Sequence, residues 1–148
     1  MADADRALFV AGLEAAVVDV YRLALEGQSV PPELAEIVLV LAQHHDEHCT
    51  ALAAVGARAR SAIGRNETLY AELNQSVLGP DPMLAIVAVE QALAATHLAS
   101  LGVLESTDAA AAIASILPVE ARHAVVLDPT LLPPSQTVDG AYDESTYA

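Results

Sequence analysis

The stretch AQHHDEHCTAL, residues 42–52, sets three of the chain's five histidines and two acids within five consecutive positions of an otherwise apolar run. Apolar residues on either side recur at alternating intervals of three and four, the spacing of one face of an α-helix. Carried through the cluster, that alternation passes Val38, Leu41, His45, His48, Leu52 and Val55. His45 and His48 therefore occupy positions predicted to face a core. His44, about 100° of helical rotation from His45, is expected at the surface or beside the site. Asp46 and Glu47 are expected in solvent.

The same count extends in both directions. Four long helices are predicted. The first runs from about Ala4 to Glu26, started by Asp3 or Asp5 and ended by Gly27. The second follows VPPE (30–33), with Pro in its first turn, and reaches about Gly56. The third starts near GPDPM (79–83) and continues to about Glu105. The fourth is capped by Ser106 or Thr107, has Asp108 in its first turn, and ends before LDPTLLPP (127–134). Pro118 falls inside it and is expected to kink it. The long connection over 57–80 is expected to hold a short helix around NETLYAELNQ (66–75). The expected domain is thus an all-α four-helix bundle over residues 1–127. An acidic C-terminal tail, extended or partly disordered, is expected over 128–148, with Leu131 and Leu132 as a strap over the bundle.

Each predicted inward stripe is interrupted near its middle by polar residues. Helix one carries Val10, Glu14, Val17, Tyr21 and Ala24; helix three carries Met83, Ile86, Glu90, Leu93, His97, Leu101 and Leu104; helix four carries Ile113, Ile116, Glu120, His123 and Leu127. A weak internal repeat pairs them, with LEAAVVDVY (13–21) against VEQALAATH (89–97) and HHDEH (44–48) against VEARH (119–123). At a rise of about 1.5 Å per residue, Glu14 and His45 each stand about 20 Å from the turn joining their helices, at one depth.

Composition narrows the function. The chain has 148 residues, enough for one domain with a sizeable core. Hydrophobic residues make up 54% and aromatics 3%, with strand formers other than Val sparse, which points to helices. A net charge of −14 with six Lys and Arg repels phosphate backbones and argues against nucleic-acid binding, while favouring cations. Cys49 is the one cysteine, which leaves no intrachain disulfide and no cysteine-rich metal site. Its default role is a buried structural thiol. Residues 1–20 lack a basic leader region and are broken by Glu14 and Asp19, so neither a signal peptide nor a membrane span is expected, and the location expected is cytoplasmic.

Residues three apart on a helix present their side chains about 5–6 Å apart on one face. His45 with His48, and Glu120 with His123, can each offer two groups to one centre. Glu14 and Glu90 would add one carboxylate apiece. Burying carboxylates without partners costs several kcal/mol, and bound cations remove that cost. A mixed imidazole and carboxylate set suits iron, manganese or zinc. The metal-ligand candidates are therefore Glu14, His45, His48, Glu90, Glu120 and His123.

One Glu from each of two helices with a Glu-x-x-His pair from each of the other two is a di-metal carboxylate pattern. In carrying Glu14, Glu90 and Glu120-x-x-His123, the chain resembles the ferritin-like superfamily over roughly residues 4–127. It is most similar to short bacterial ferritin-like domain proteins of unknown function. The resemblance implies a ferritin-like four-helix bundle with a long connection between helices two and three. It implies terminal carboxylates at Glu14 and Glu90, imidazole ligands at His48 and His123, a bridging carboxylate at Glu120, iron as the metal, and a homodimer. His45 departs from it, standing where the family has Glu. A neutral imidazole offers one lone pair, so only Glu120 is left to bridge, and three carboxylates face the four charges of two divalent ions. A weaker or asymmetric dinuclear site, or one occupied by a single metal, is expected, with oxygen chemistry more in doubt than metal binding. The function expected is a metal-binding protein of oxidoreductase or ferroxidase type. The alternative is a non-catalytic binding or assembly module with a vestigial or structural metal site, using its acidic surface and the tail DGAYDESTYA (139–148). Tyr21 and His97, one heptad or about 10 Å from Glu14 and Glu90, are expected to be core or channel residues.

Overall fold

The computed structural model describes residues 2–127 and residue 146. Apart from residue 146, the expected tail over 128–148 lies outside the described residues, and so does the strap through Leu131 and Leu132. Five α-helices form: α1 (Asp3–Glu26), α2 (Ala35–Val55), α3 (Glu67–Val77), α4 (Pro82–Leu101) and α5 (Thr107–Leu127). No strand occurs among the described residues. The all-α expectation therefore holds. The short helix expected around residues 66–75 forms as α3, so the described residues hold five helices and the 57–80 connection is not a plain loop. Leu69, Leu73 and Val77 of α3 are buried in the same apolar cluster as Leu13 and Val17 of α1 and Ile86 of α4.

α1 lies along α2 and α4 along α5, with smaller α2–α5 and α1–α4 contacts between these pairs. Two apolar clusters result. One gathers Val17, Tyr21, Leu41, Leu69 and Leu93, and the other Val10, Cys49, Leu52, Ile113 and Ile116. On α1 the residue between the clusters is Glu14, and on α2 it is His45 with His48. A polar layer thus separates two hydrophobic halves.

The helix ends obey local chemistry, though not always with the expected residues. Asp3 does not cap α1. Its Oδ2 accepts instead from the backbone N–H groups of Glu105 (3.0 Å) and Ser106 (2.5 Å), tying the chain's start to the α4–α5 turn. Ser106 caps α5 as expected, accepting from Ala109 N at 3.3 Å. Asn66 caps α3, accepting from Leu69 N at 2.9 Å. α4 stops at Leu101, short of Glu105. Pro118 does not interrupt α5; it lies on the exposed side, as does Ala114, whose carbonyl its missing N–H leaves free of a helical bond.

α1 and α2 both end in Schellman turns in which glycine sits one place earlier than usual. Gly27 and Gly56 keep φ near −76° and −79°, and the left-handed position falls to Gln28 (54°) and Ala57 (53°). Hydrogen bonds from Ser29 N to Ala24 O (2.9 Å) and from Arg58 N to Ala53 O (2.8 Å) close the turns. Gly56 answers a close approach instead, since a Cβ there would stand 2.4 Å from two carbons of Leu8. Gly56→Ala should therefore cost about 1–3 kcal/mol through overpacking. Ala57→Gly should gain about 0.5–1 kcal/mol by relieving the left-handed backbone. Urea midpoints that move in the same direction for both variants would contradict this assignment.

α4 and α5 are each long and apolar enough to cross a membrane, by length and composition alone. Both carry buried acidic and imidazole groups turned toward the other helices, and an apolar helix inside a helical core meets the same criterion.

Candidate metal centre

Glu14 of α1, His45 and His48 of α2, Glu90 of α4, and Glu120 and His123 of α5 meet in one layer. Four of them are fully buried, while His48 and His123 keep 8% and 4% exposure. The 3.6-residue period delivers these groups because each lies on its helix's buried stripe, between apolar residues that fix the helix's rotation.

The donor atoms divide into two sets. On one side, His45 Nδ1 lies 2.7 Å from Glu14 Oε2 and 3.6 Å from Glu120 Oε1. There His48 Nδ1 lies 2.6 Å from the same Glu120 oxygen and 3.7 Å from Glu14 Oε2. On the other side, His45 Nε2 lies 3.2 Å from Glu90 Oε1. His123 Nδ1 lies 3.1 Å from Glu90 Oε2 and 3.6 Å from Glu120 Oε2. Within each set of four residues, one donor atom per residue lies within 4.8 Å of the others, close enough to hold an ion. His45 and Glu120 belong to both sets.

Three further residues surround the layer. The Tyr21 hydroxyl donates to Glu90 Oε1 at 2.5 Å, and His97 Nε2 lies 2.8 Å from Glu14 Oε1. Both are fully buried. α1 and α4 run antiparallel, so each residue serves the carboxylate of the opposite helix. Distance along one helix, the measure applied in the sequence, missed this exchange. The signal was there in the internal repeat, which aligns Tyr21 with His97. His44, half-buried, stacks on His123, with its Nδ1 3.0 Å from His123 Nε2, and so fixes which nitrogen of His123 faces the carboxylates. Asp46 turns out to Arg60 (2.8 Å) and Glu47 is exposed, as expected. Partners that orient ligands typically contribute about 10–100-fold to metal affinity. Tyr21→Phe and His97→Phe should each weaken zinc binding by roughly that factor, measured by chelator competition. Unchanged affinity in both would reduce these residues to packing.

The electrostatics of the layer set its imidazoles against its carboxylates. Burial pushes the Glu14 carboxyl up, but His45, His48 and His97 outweigh it and hold it well below the usual range. Glu90 is likewise held low against burial by His45 and His123. Burial favours neutral imidazoles, yet Glu120, Glu90 and Glu14 hold His45 well above its ordinary value. Glu120 and Glu14 raise His48 to about 9, and Glu120 and Glu90 raise His123. His44, away from the carboxylates, is lowered by burial and by His123. Burial pushes the Cys49 thiol up to about 11, consistent with an inert core residue.

Glu120 tests whether these residues suit a cation. Both its oxygens are buried without a directed hydrogen bond, and so is His48 Nδ1, although the two groups stand 2.6 Å apart. At that separation the failure is one of angle, not reach. A carboxylate so placed carries a desolvation cost of several kcal/mol, which a cation between the two groups would offset. The donor set therefore fits a metal ion.

A cavity of about 580 Å³ opens between α2 and α5, walled by Ile37, Val40, Val119 and Val126 and reaching His44 and His123. It gives the layer a route to the surface on the His123 side. Among known proteins, no curated sequence and no solved structure matches the chain. A family model described as a ferritin-like domain does match, over residues 2–132. With that match covering most of its length, and with buried Glu and His groups compatible with a metal site, the chain belongs to the ferritin-like domain family.

Proposed function

We propose that this chain is a metal-binding four-helix-bundle protein whose core holds a dinuclear carboxylate–histidine centre, with iron as the metal and ferroxidase-type oxidoreduction as the activity. Glu14, His45, His48 and Glu120 would hold one ion, and His45, Glu90, Glu120 and His123 the other. The observation that carries this reading is Glu120, a fully buried carboxylate lacking directed hydrogen bonds at the point common to both sets. Imidazole with carboxylate suits iron, manganese or zinc.

Bound iron would supply one-electron redox chemistry. The protein's part is to bind, orient and keep water out. Tyr21 and His97 fix the carboxylates of Glu90 and Glu14, and His44 fixes His123. Two apolar clusters flank the layer on either side, and the cavity over His44 and His123 offers an approach to it.

A second reading, a non-catalytic bundle with a vestigial site, is favoured by one observation. His45 lies between Glu14 and Glu90, and as an imidazolium it neutralises charge that a cation would otherwise neutralise. Elemental analysis of the full chain after reconstitution with ferrous iron separates the readings. The proposal expects stoichiometric iron, and absorbance growth on mixing with air. Iron without oxidation would remove the enzymatic part, and no retained iron, manganese or zinc would overturn the site.

A further inference from the structure

The departure at position 45 has a chemical resolution in the orientation of its ring. The two nitrogens of His45 point to opposite halves of the layer. Nδ1 faces Glu14 at 2.7 Å, with Glu120 Oε1 at 3.6 Å, and Nε2 faces Glu90 at 3.2 Å. The ring is fully buried and held edge-on by Tyr21, His48 and His123, with centroids 5.3, 5.9 and 5.4 Å away. Glu120 is divided in the same way, with Oε1 toward His48 (2.6 Å) and Oε2 toward His123 (3.6 Å). Two residues on facing helices thus each present one donor atom to each half. A carboxylate is a familiar bridge of this kind. An imidazole becomes one when it gives up its ring proton, because each nitrogen then carries an in-plane lone pair.

The geometry points to His45 as an imidazolate bridge, with one ring nitrogen on each of two divalent ions and Glu120 offering one oxygen toward each half. This rests on the metal-binding reading above and specifies how the site works without a second bridging carboxylate. The step balances. His45 releases to solvent both ring protons of the imidazolium that its carboxylate neighbours favour in the ion-free layer, and the two lone pairs left on Nδ1 and Nε2 enter one metal bond each, with no electron transferred. Charge balances as well. Two divalent ions bring four positive charges; Glu14, Glu90 and Glu120 bring three negative charges, and imidazolate brings the fourth. The layer is then neutral without an added anion, which lowers the cost of holding it between two apolar clusters. A ring holds its two metals further apart than a carboxylate does, so the pair would be spaced more widely than one bridged by two carboxylates.

The test is an anomalous-scattering map from crystals of the full chain grown with zinc, alongside zinc counts in solution. The expected map has two peaks per chain on opposite sides of the His45 ring, each at bonding distance from one nitrogen. In solution, His45→Ala should fall from two zinc ions per chain to less than one, because both sets lose a donor, and added imidazole should restore binding. If that variant does not fold, His45→Glu serves instead. It should retain two ions, with the peaks drawn closer together. Two peaks bridged by Glu120 alone, or one peak beside His45, would overturn the bridge while leaving metal binding intact. No peak and no bound zinc would overturn both.

Discussion

Glu120→Gln is expected to cost more metal than substitution of either outer carboxylate. Glu120 is common to both donor sets, whereas Glu14 belongs to one and Glu90 to the other. Gln keeps the shape and removes the charge, so packing at this fully buried position is preserved. With a neutral amide, His48 and His123 lose the carboxylate between them, and the two proposed ions would together lose one unit of compensating charge. Elemental analysis of reconstituted protein should find less than one ion per chain for Glu120→Gln. Glu14→Gln and Glu90→Gln should each keep about one, because the opposite set remains whole. Circular dichroism should show helical content unchanged in all three. Equal losses across the three variants would mean that the sets do not share Glu120, and would collapse the two-site description into one.

Those positions could be read in the sequence because a buried helical stripe has its period whatever residues occupy it. Val10, Val17, Leu41, Leu52, Ile86, Leu93, Ile113 and Ile116 are all buried, and the interrupting Glu and His are buried with them. Relations between helices were not legible. Spacing along α1 and α4 relates Tyr21 and His97 only to the carboxylates of their own helices, while their partners stand across an antiparallel pair. Of the neighbours that set the ring plane of His45, only His48 lies along α2; the others stand on α1, α4 and α5, which no spacing along α2 encodes. Gly27 and Gly56 marked the right helix ends for an incomplete reason. Schellman geometry puts the left-handed residue one place later, and Gly56 is required by Leu8, which is distant in sequence. α3 was visible as a short amphipathic run, but its burial against α1 and α4 depends on the path of the loop. Asn66 N donating to Gly12 O at 2.8 Å pins that path.

The second large effect is a stability profile that diverges with pH between ion-free and zinc-loaded protein. In the ion-free protein His48 has its proton affinity raised from 6.5 to about 9, and His45 and His123 are raised as well. A group bound more tightly to its proton in the folded state stabilises fully below its unfolded value. That stabilisation is lost as pH rises through the folded value. For His48 the window runs from 6.5 to about 9, and the loss is on the order of 3 kcal/mol. For a chain of this size that corresponds to roughly 6–12 °C in Tm. Glu14 and Glu90 act at the other end. Their lowered values give stability that is present above about 4.5 and lost as pH falls further. Ion-free protein should therefore be most stable between these limits and weaken steadily toward pH 9. Metal ligation reverses the alkaline limb, because an ion takes the lone pair that a proton would otherwise hold, and affinity rises as protons leave. Zinc-loaded protein should hold or gain Tm over the same range, so the gap between the two melting curves widens with pH. Parallel curves from pH 6.5 to 9 would mean that the imidazoles of this layer do not exchange protons for metal, and the six-residue site would fail with them.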